Sequence, residues 1–170
     1  MNINIRVAVM EDCERIRPLQ KETADLHHNG RPDIFKAEAR YFTKEAFAER
    51  LHDPKHTIYI AETESGEVVG YAFAWIVSYR NHSVYVDFDC FYIDDICVLK
   101  SYQRNGIGKR LFERCRQKAQ DQKCKMLELG VWEFNKDAIA FYESCGMTDR
   151  IHRMEYRLDN SHGAHIENCG

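Results

Sequence analysis

Two stretches of the chain carry residue types whose spacing can do chemistry. Gln103, Gly106 and Gly108 form a Q-x-x-G-x-G spacing between a strand pattern and a helix pattern. The start of a helix exposes unpaired backbone N–H groups and a partial positive charge, so an anion is stabilised there. Glycines let that backbone approach a ligand without a Cβ in the way. Arg104, Lys109 and Arg110 add local positive charge to a chain whose formal net charge is -3. A glycine pair alone supports only an anion-binding helix start. It is no dinucleotide fingerprint, since no βαβ unit surrounds it. Upstream, Val84, Val86, Phe88, Cys90, Tyr92, Asp94, Ile96 and Val98 fall on one face at period two. Asp94 is the lone charge in that apolar series, and desolvation there raises a carboxyl and makes it a better proton acceptor.

The elements that must position these residues follow from periodicity. Ile3, Ile5, Val7 and Val9 alternate as a first strand. A helix starts at Asp12 with Ile16, Leu19, Thr23 and Leu26 and fades at His27-His28-Asn29-Gly30. A second, with Thr43 as its cap and Phe47 and Leu51 on one face, ends before Pro54. Thr57 to Thr63 and Val68 to Tyr79 form a hairpin around Glu64-Ser65-Gly66-Glu67, and a third strand runs from about Val84 to Leu99. Gly106 opens a helix carrying Ile107, Leu111, Phe112, Cys115 and Ala119 on one face. A strand from Met126 to Trp132, a short helix from Asp137 to Cys145 and a last strand from His152 to Leu158 complete the order. This order predicts an α/β (α+β) domain over 1–159, with a mixed, mostly antiparallel sheet of about six to seven strands flanked by about four helices. A polar tail, 160–170, follows it.

The loop gains meaning from its surroundings. The run Ile96-Cys97-Val98-Leu99-Lys100-Ser101-Tyr102-Gln103-Arg104-Asn105-Gly106-Ile107-Gly108 resembles the acetyl-CoA loop of the GNAT N-acetyltransferase superfamily. Asn135-Lys136-Asp137-Ala138-Ile139-Ala140-Phe141-Tyr142-Glu143-Ser144-Cys145-Gly146-Met147 resembles its second signature, with Met147 where a Phe is usual. The two lie in the expected order, one helix and one strand apart, and the resemblance covers residues 3 to 158. Tyr92-Ile93-Asp94-Asp95 and Trp132-Glu133-Phe134-Asn135 look closest to the diamine and polyamine N-acetyltransferases, which usually carry Glu where this chain has Asp94.

The resemblance implies an acetyl-CoA-dependent N-acetyltransferase that transfers directly to a primary amine of a polyamine- or diamine-like small molecule. Asp94 takes the place of the general base, one methylene shorter than Glu and so suited to a water relay. Family members carry a bulge in this strand, and a bulge flips the alternation beyond it, so Asp95 is the other candidate. Tyr142 takes the place of the acid that protonates the thiolate. Ile96, Cys97 and Val98, the loop from Gln103 through Arg104, Asn105, Gly106, Ile107 and Gly108 to Lys109, and Asn135 and Tyr142 are the expected cofactor contacts. Asn135 also suits a helix cap. His28, Phe35, Asp87, Asp89 and Glu133, in a region that also holds His27 and Asp33, offer aromatic and acidic groups to a cationic acceptor. Protein N-termini or lysines are the alternative acceptors, and a non-catalytic acetyl-CoA sensor is the alternative function. Members of the superfamily often dimerise, so a homodimer is among the expectations.

Composition sets outer bounds. With 44% hydrophobic and 30% charged residues the chain reads as globular. The acidic balance argues against a nucleic-acid partner. No apolar run suggests a membrane span, and the first residues lack the pattern of a signal peptide. Seven cysteines without framework spacing suggest reduced thiols and a cytoplasmic location. Cys97 on a buried strand reads as inert rather than acyl-carrying. His162, His165 and Cys169 lack a fourth fixed ligand, so no metal is expected.

Overall fold

A computed structural model describes residues 2–39 and 41–158. Five strands form one sheet in the order β1-β2-β3-β4-β5. They are β1 (Ile3–Val7), β2 (His56–Thr63), β3 (Val68–Tyr79), β4 (Phe88–Val98) and β5 (Met126–Leu129). The first four pair antiparallel and β5 joins β4 in parallel. The parallel step requires a crossover, and α4 (Ile107–Asp121) supplies it, so β4–α4–β5 is a βαβ unit around the loop where the sequence pattern suggested none. The other helices are α1 (Asp12–Arg15), α2 (Arg17–Gly30), α3 (Lys44–His52) and α5 (Lys136–Ser144).

Strand alternation decides which helices cover which face. On β3, Ala72 and Ala74 point toward Leu111, Phe112 and Cys115 of α4, while Tyr71 and Phe73 point toward Ile16, Leu19 and Phe47 of the α1–α3 layer. Small residues under α4 let its large side chains approach the sheet. The helix expected from Asp12 onward is broken in two. Pro18 sits at the start of α2, where its missing N–H costs nothing, and Asp12 is fully buried beneath the junction. Asp12 accepts from Arg6 at 2.6 Å, Arg15 at 2.8 Å and the Val9 N–H at 2.9 Å, which compensates its burial. Thr43 caps α3 as expected, its hydroxyl accepting from the Ala46 N–H at 3.2 Å.

Two strand expectations are corrected. The third strand begins at Phe88, not Val84. Residues 80–87 form a connection in which Asp87 accepts from the Asn81 N–H and His82 stacks on Tyr85, leaving Val84 and Val86 exposed. The last strand is absent: 151–158 has no strand pairing, and its apolar side chains lie open to solvent. The sheet therefore has five strands rather than six to seven. The polar tail, with His162, His165 and Cys169, lies outside the described residues. No helix among the described residues is long and apolar enough to cross a membrane.

Candidate active site

The centre of the site is an irregularity in β4. Phe73 pairs with Asp95 and Ala74 pairs with Ile93, so Asp94 is an extra residue without a partner on β3. This bulge ends the straight alternation read from the sequence. Asp95 and Cys97 continue the face of Tyr92, toward α2, while Ile96 and Val98 join the face of Phe91 and Ile93. Extra strand residues re-aim side chains, and here the result is two adjacent carboxylates in different surroundings.

Asp95 is enclosed beside Tyr71, whose hydroxyl donates to it at 2.5 Å. Burial pushes the Asp95 carboxyl up to about 6, and the neighbouring Asp94 charge adds to that against the Tyr71 hydrogen bond. Asp94 is solvent-exposed. Even so, protein packed around its carboxylate raises it above the ordinary range, with Arg50 and His56 pulling the other way. Exposure and environment point in opposite directions for Asp94, and a cleft wall satisfies both.

The cleft follows from how the sheet ends. β5 pairs with β4 only from Cys90–Met126 to Ile93–Leu129, while β3 follows β4 to Val98. Beyond the bulge, the β5-facing edge of Asp94 to Val98 is unpaired within the sheet. Those backbone groups can receive an extended ligand chain as an added strand would be received.

Immediately downstream, the loop is braced from inside. The Gln103 side chain donates to the Val98 carbonyl at 3.0 Å, and Asn105 donates to the carbonyls of Tyr102 and Gln103, each at 3.1 Å. Arg104 and Gly106 take positive φ of 63° and 76°. Gly106 is the N-cap of α4 and no side chain caps the helix. Its first backbone bond runs from Arg110 N–H to Gly106 O, so the preceding amides at Ile107, Gly108 and Lys109 face the helix entrance. Ile107 anchors the turn in the core at 1% exposure. A Cβ on Gly108 would lie 3.4 Å from Phe141, an ordinary contact distance, so α5 lies directly against this turn. These residues fit a pyrophosphate: free N–H groups, no side chain at the cap, and cationic Arg104 and Lys109 beside them.

Helix α5 closes the other side. Asn135 caps it, its side-chain oxygen accepting from the Ala138 N–H at 3.1 Å. Tyr142 packs against the α4 side of the core, and burial raises its hydroxyl far above its ordinary value, reinforced by the Asp95 charge. At neutral pH it holds its proton. Burial also pushes the Cys97 thiol up to about 12, so it stays protonated and a poor nucleophile.

Facing Asp94 and Asp95 from the α2 side is an aromatic cluster. His27 stacks on Phe35 at 4.8 Å, Phe35 meets Trp132 edge-on at 5.2 Å, and Trp132 stacks on Phe134 at 6.0 Å. The Tyr41 hydroxyl hydrogen-bonds His27 Nδ1. Burial, then the charges of Asp95 and Asp94, push Tyr41 up to about 12, which ties the cluster to the carboxylates. Burial lowers His27, favouring its neutral form.

Of the acceptor-region residues expected from sequence, His27 and Phe35 enter this cluster. His28 bonds the Phe35 carbonyl at 2.8 Å and so shapes the loop. Asp33 pairs with Arg31 at 2.7 Å. Asp87 lies in the β3–β4 connection, and Asp89 lies at the start of β4, paired with Arg80 at 2.6 Å. Glu133 is 86% exposed on Lys136. Tyr41, Tyr71, Trp132 and Phe134 were not anticipated. The available signal was the period-two pair Trp132 and Phe134 flanking Glu133, two aromatics on the side opposite the acid.

Comparison with known proteins agrees with this geometry. The model of the acetyltransferase (GNAT) family matches residues 19–147. An uncharacterized N-acetyltransferase in the pepI 3' region of Lactobacillus delbrueckii subsp. lactis is 32% identical over 120 residues, 71% of this chain and 68% of that protein. The thialysine N-epsilon-acetyltransferase of Bos taurus is 29% identical over 154 residues, 86% of this chain and 85% of that protein. A crystal structure of a mutant BH1408 protein from Bacillus halodurans superposes with a TM-score of 0.88 at 27% identity, over 91% of this chain and 99% of that one. Glucosamine-6-phosphate N-acetyltransferase from Arabidopsis thaliana, with a TM-score of 0.66 at 19% identity over 94% of this chain and 100% of that one, shares the fold. With its loop, its split sheet and these relatives in agreement, the chain belongs to the GNAT acetyltransferase family and is an N-acetyltransferase whose acyl donor is acetyl-CoA.

Proposed function

We propose that the enzyme acetylates the primary amine of a small diamine-, polyamine- or lysine-like acceptor by direct transfer, with Asp94 as base and Tyr142 as acid. The observation that carries this reading is the position of Asp94, a solvent-reached bulge carboxylate. Its charge and that of Asp95 act on Tyr41, which hydrogen-bonds His27 of the aromatic cluster.

Acetyl-CoA supplies an acyl group activated as a thioester. Asp94, through a water, takes the proton that an ammonium must lose before its nitrogen can attack. The new N–C bond forms as the C–S bond breaks, Tyr142 gives its proton to the departing sulfur, and the second proton that the nitrogen sheds on becoming an amide restores Tyr142. The unpaired N–H groups of β4 beyond Asp94 lie where a carbonyl oxygen gaining charge would need fixed donors. The aromatic faces and paired carboxylates suit a cationic amine on an apolar arm. The bovine relative's name places acetylation on the ε-nitrogen of thialysine, which supports an amine at the end of such an arm.

The test is a coenzyme A release assay across diamines, polyamines, lysine-like amines, aminoglycosides and peptides. Turnover of the first three classes is expected. Peptide turnover with inert small amines would overturn the acceptor class in favour of a protein N-terminus or lysine. Coenzyme A binding without release for any amine would make the protein a sensor. Work in the cytoplasm as a homodimer belongs to the same proposal. The six described cysteines are free thiols, the state a reducing compartment maintains. Recovery of the protein from an oxidising compartment would remove the cytoplasmic assignment.

A further inference from the structure

The aromatic cluster is bounded by charges of opposite sign. At one end the Tyr41 hydroxyl hydrogen-bonds His27 Nδ1, and the charges of Asp95 and Asp94 act on Tyr41. At the other end the Arg31 guanidinium lies 5.8 Å from the centre of the Trp132 ring. The rings between them follow one another, Trp132 edge-on to Phe35 at 5.2 Å and Phe35 stacked on His27 at 4.8 Å. Arg31 follows α2 directly, and its N–H bonds the His27 carbonyl at 2.9 Å. One helical turn therefore separates the two side chains, about 5–6 Å at their origins, comparable with a four-carbon arm. Arg31 is already held by two carboxylates. Asp33, from the same loop, takes Nε and Nη2 at 2.8 and 2.7 Å. Glu155, remote in sequence and 57% exposed, takes Nη1 and Nη2 at 2.8 and 3.0 Å. Arg157 pairs with Asp33 as well, so two cations and two carboxylates balance at this rim.

We propose that Arg31 reads the carboxylate of an amino-acid acceptor, so that a free lysine-type amino acid is preferred over a diamine with the same arm. The inference rests on the acceptor site proposed above and narrows its substrate class. Glu155 shows what the outer edge of the guanidinium accepts: one carboxylate through two parallel bonds, the fork geometry that suits arginine. An acceptor's carboxylate takes that edge in place of the exposed Glu155. Asp33 stays on the other edge, where it is a counter-charge for the α-ammonium beside that carboxylate. The apolar arm then lies over Trp132 and Phe35, and Trp132 is 36% exposed, open to receive it. The far ammonium reaches the end where Asp94 and Asp95 act. A diamine of equal length brings a second ammonium to Arg31 instead, like charge toward like charge, and the Trp132 face already carries a cation. A lysine within a polypeptide has no free α-carboxylate and gains nothing at Arg31. The rim thus matches a zwitterion, and the site discriminates by a group far from the reacting nitrogen.

Steady-state kinetics of the full chain with free lysine, lysinamide and cadaverine test the proposal. Lysinamide keeps the α-ammonium of lysine and loses only the carboxylate charge; cadaverine lacks both groups. With the wild-type protein, KM for lysine should be lower than for either by about tenfold or more, as expected for a charge-assisted pair. In Arg31→Gln the ratio of kcat/KM for lysine over cadaverine should fall by about 10- to 100-fold, the change lying in KM, with coenzyme A binding as in the wild type. Arg31→Lys, which keeps the charge and loses the fork, should recover part of that ratio. Equal KM for lysine and lysinamide in the wild-type protein overturns the proposal without any variant, and leaves the small-amine reading standing. A uniform loss on all three acceptors in Arg31→Gln makes Arg31 a support for the aromatic cluster, which also overturns it. If none of the three turns over while a peptide does, the acceptor class itself fails and takes this inference with it.

Discussion

Asp94 and Asp95 are adjacent in sequence, yet the bulge gives one to solvent and encloses the other with Tyr71. The enclosed one has a consequence for stability. The folded Asp95 carboxyl stands at about 6 against an ordinary 3.8, so the folded state binds its proton more tightly than the unfolded chain does. Its stabilising contribution is complete below pH 3.8 and is lost as pH rises through 6. By neutral pH, ionised Asp95 costs on the order of 3 kcal/mol. An asparagine in place of the acid still accepts from Tyr71, so Asp95→Asn should raise Tm by several degrees at pH 8 and leave it unchanged at pH 4. Calorimetry at the two pH values decides this, and an equal shift at both would exclude the titration argument. Tyr142 makes a separate prediction, because its hydroxyl keeps its proton and has apolar neighbours. Tyr142→Phe should lower kcat by about 100-fold or more, with the Kd for coenzyme A nearly unchanged in calorimetric titration. Unchanged turnover would remove Tyr142 from the chemistry.

At the scale of elements, the aromatic cluster depends on a close packing between α2 and the segment after β5. A Cβ on Gly30 would fall 2.4 Å from the Phe134 ring, too near for the ring to stay in place. Gly30→Ala should therefore push Phe134 off Trp132 and His27, raise the acceptor KM several-fold and leave coenzyme A affinity alone. A rise in both constants would mean that the change spreads to the loop at Gly106. This division also explains what could be read from sequence. The loop at Gln103–Gly108 and the cap at Asn135 were legible because local backbone chemistry dictates them within a few residues. The straight face from Val84 to Val98 was misleading. An extra residue in a strand leaves the period-two pattern looking intact, and only its pairing with Phe73 and Ala74 shows the shift. The cluster was half-legible: Phe35 was expected, but Tyr41 and Trp132 come together only once α2 lies over the sheet. The strand expected at 152–158 has the right alternation and no partner within its own chain. Periodicity reports a face that wants cover, and it is silent on which molecule provides it.

Over the whole molecule, the sheet divides where β4 and β5 stop pairing after Ile93 and Leu129. On one side stand the loop and α4; on the other stand α2, its following loop and the aromatic cluster. Among the described residues β5 pairs with β4 over just four residue pairs, so a ligand filling the split adds contacts that the free fold lacks. Coenzyme A binds only the folded state, and at about 100 times its Kd it should add about 2.7 kcal/mol, or roughly 5–10 °C in Tm for a chain of this size. The location of the gain is more telling than its size. Amide exchange should slow at Ile96, Cys97, Val98 and the Gly106–Lys109 turn when coenzyme A alone is added. His27 to Tyr41 should slow only when an acceptor amine is added as well. If coenzyme A alone protected the α2–α3 loop and spared the α4 entrance, donor and acceptor would not occupy the two sides of the split, and the assignment of Asp94 as the residue between them would fail with it.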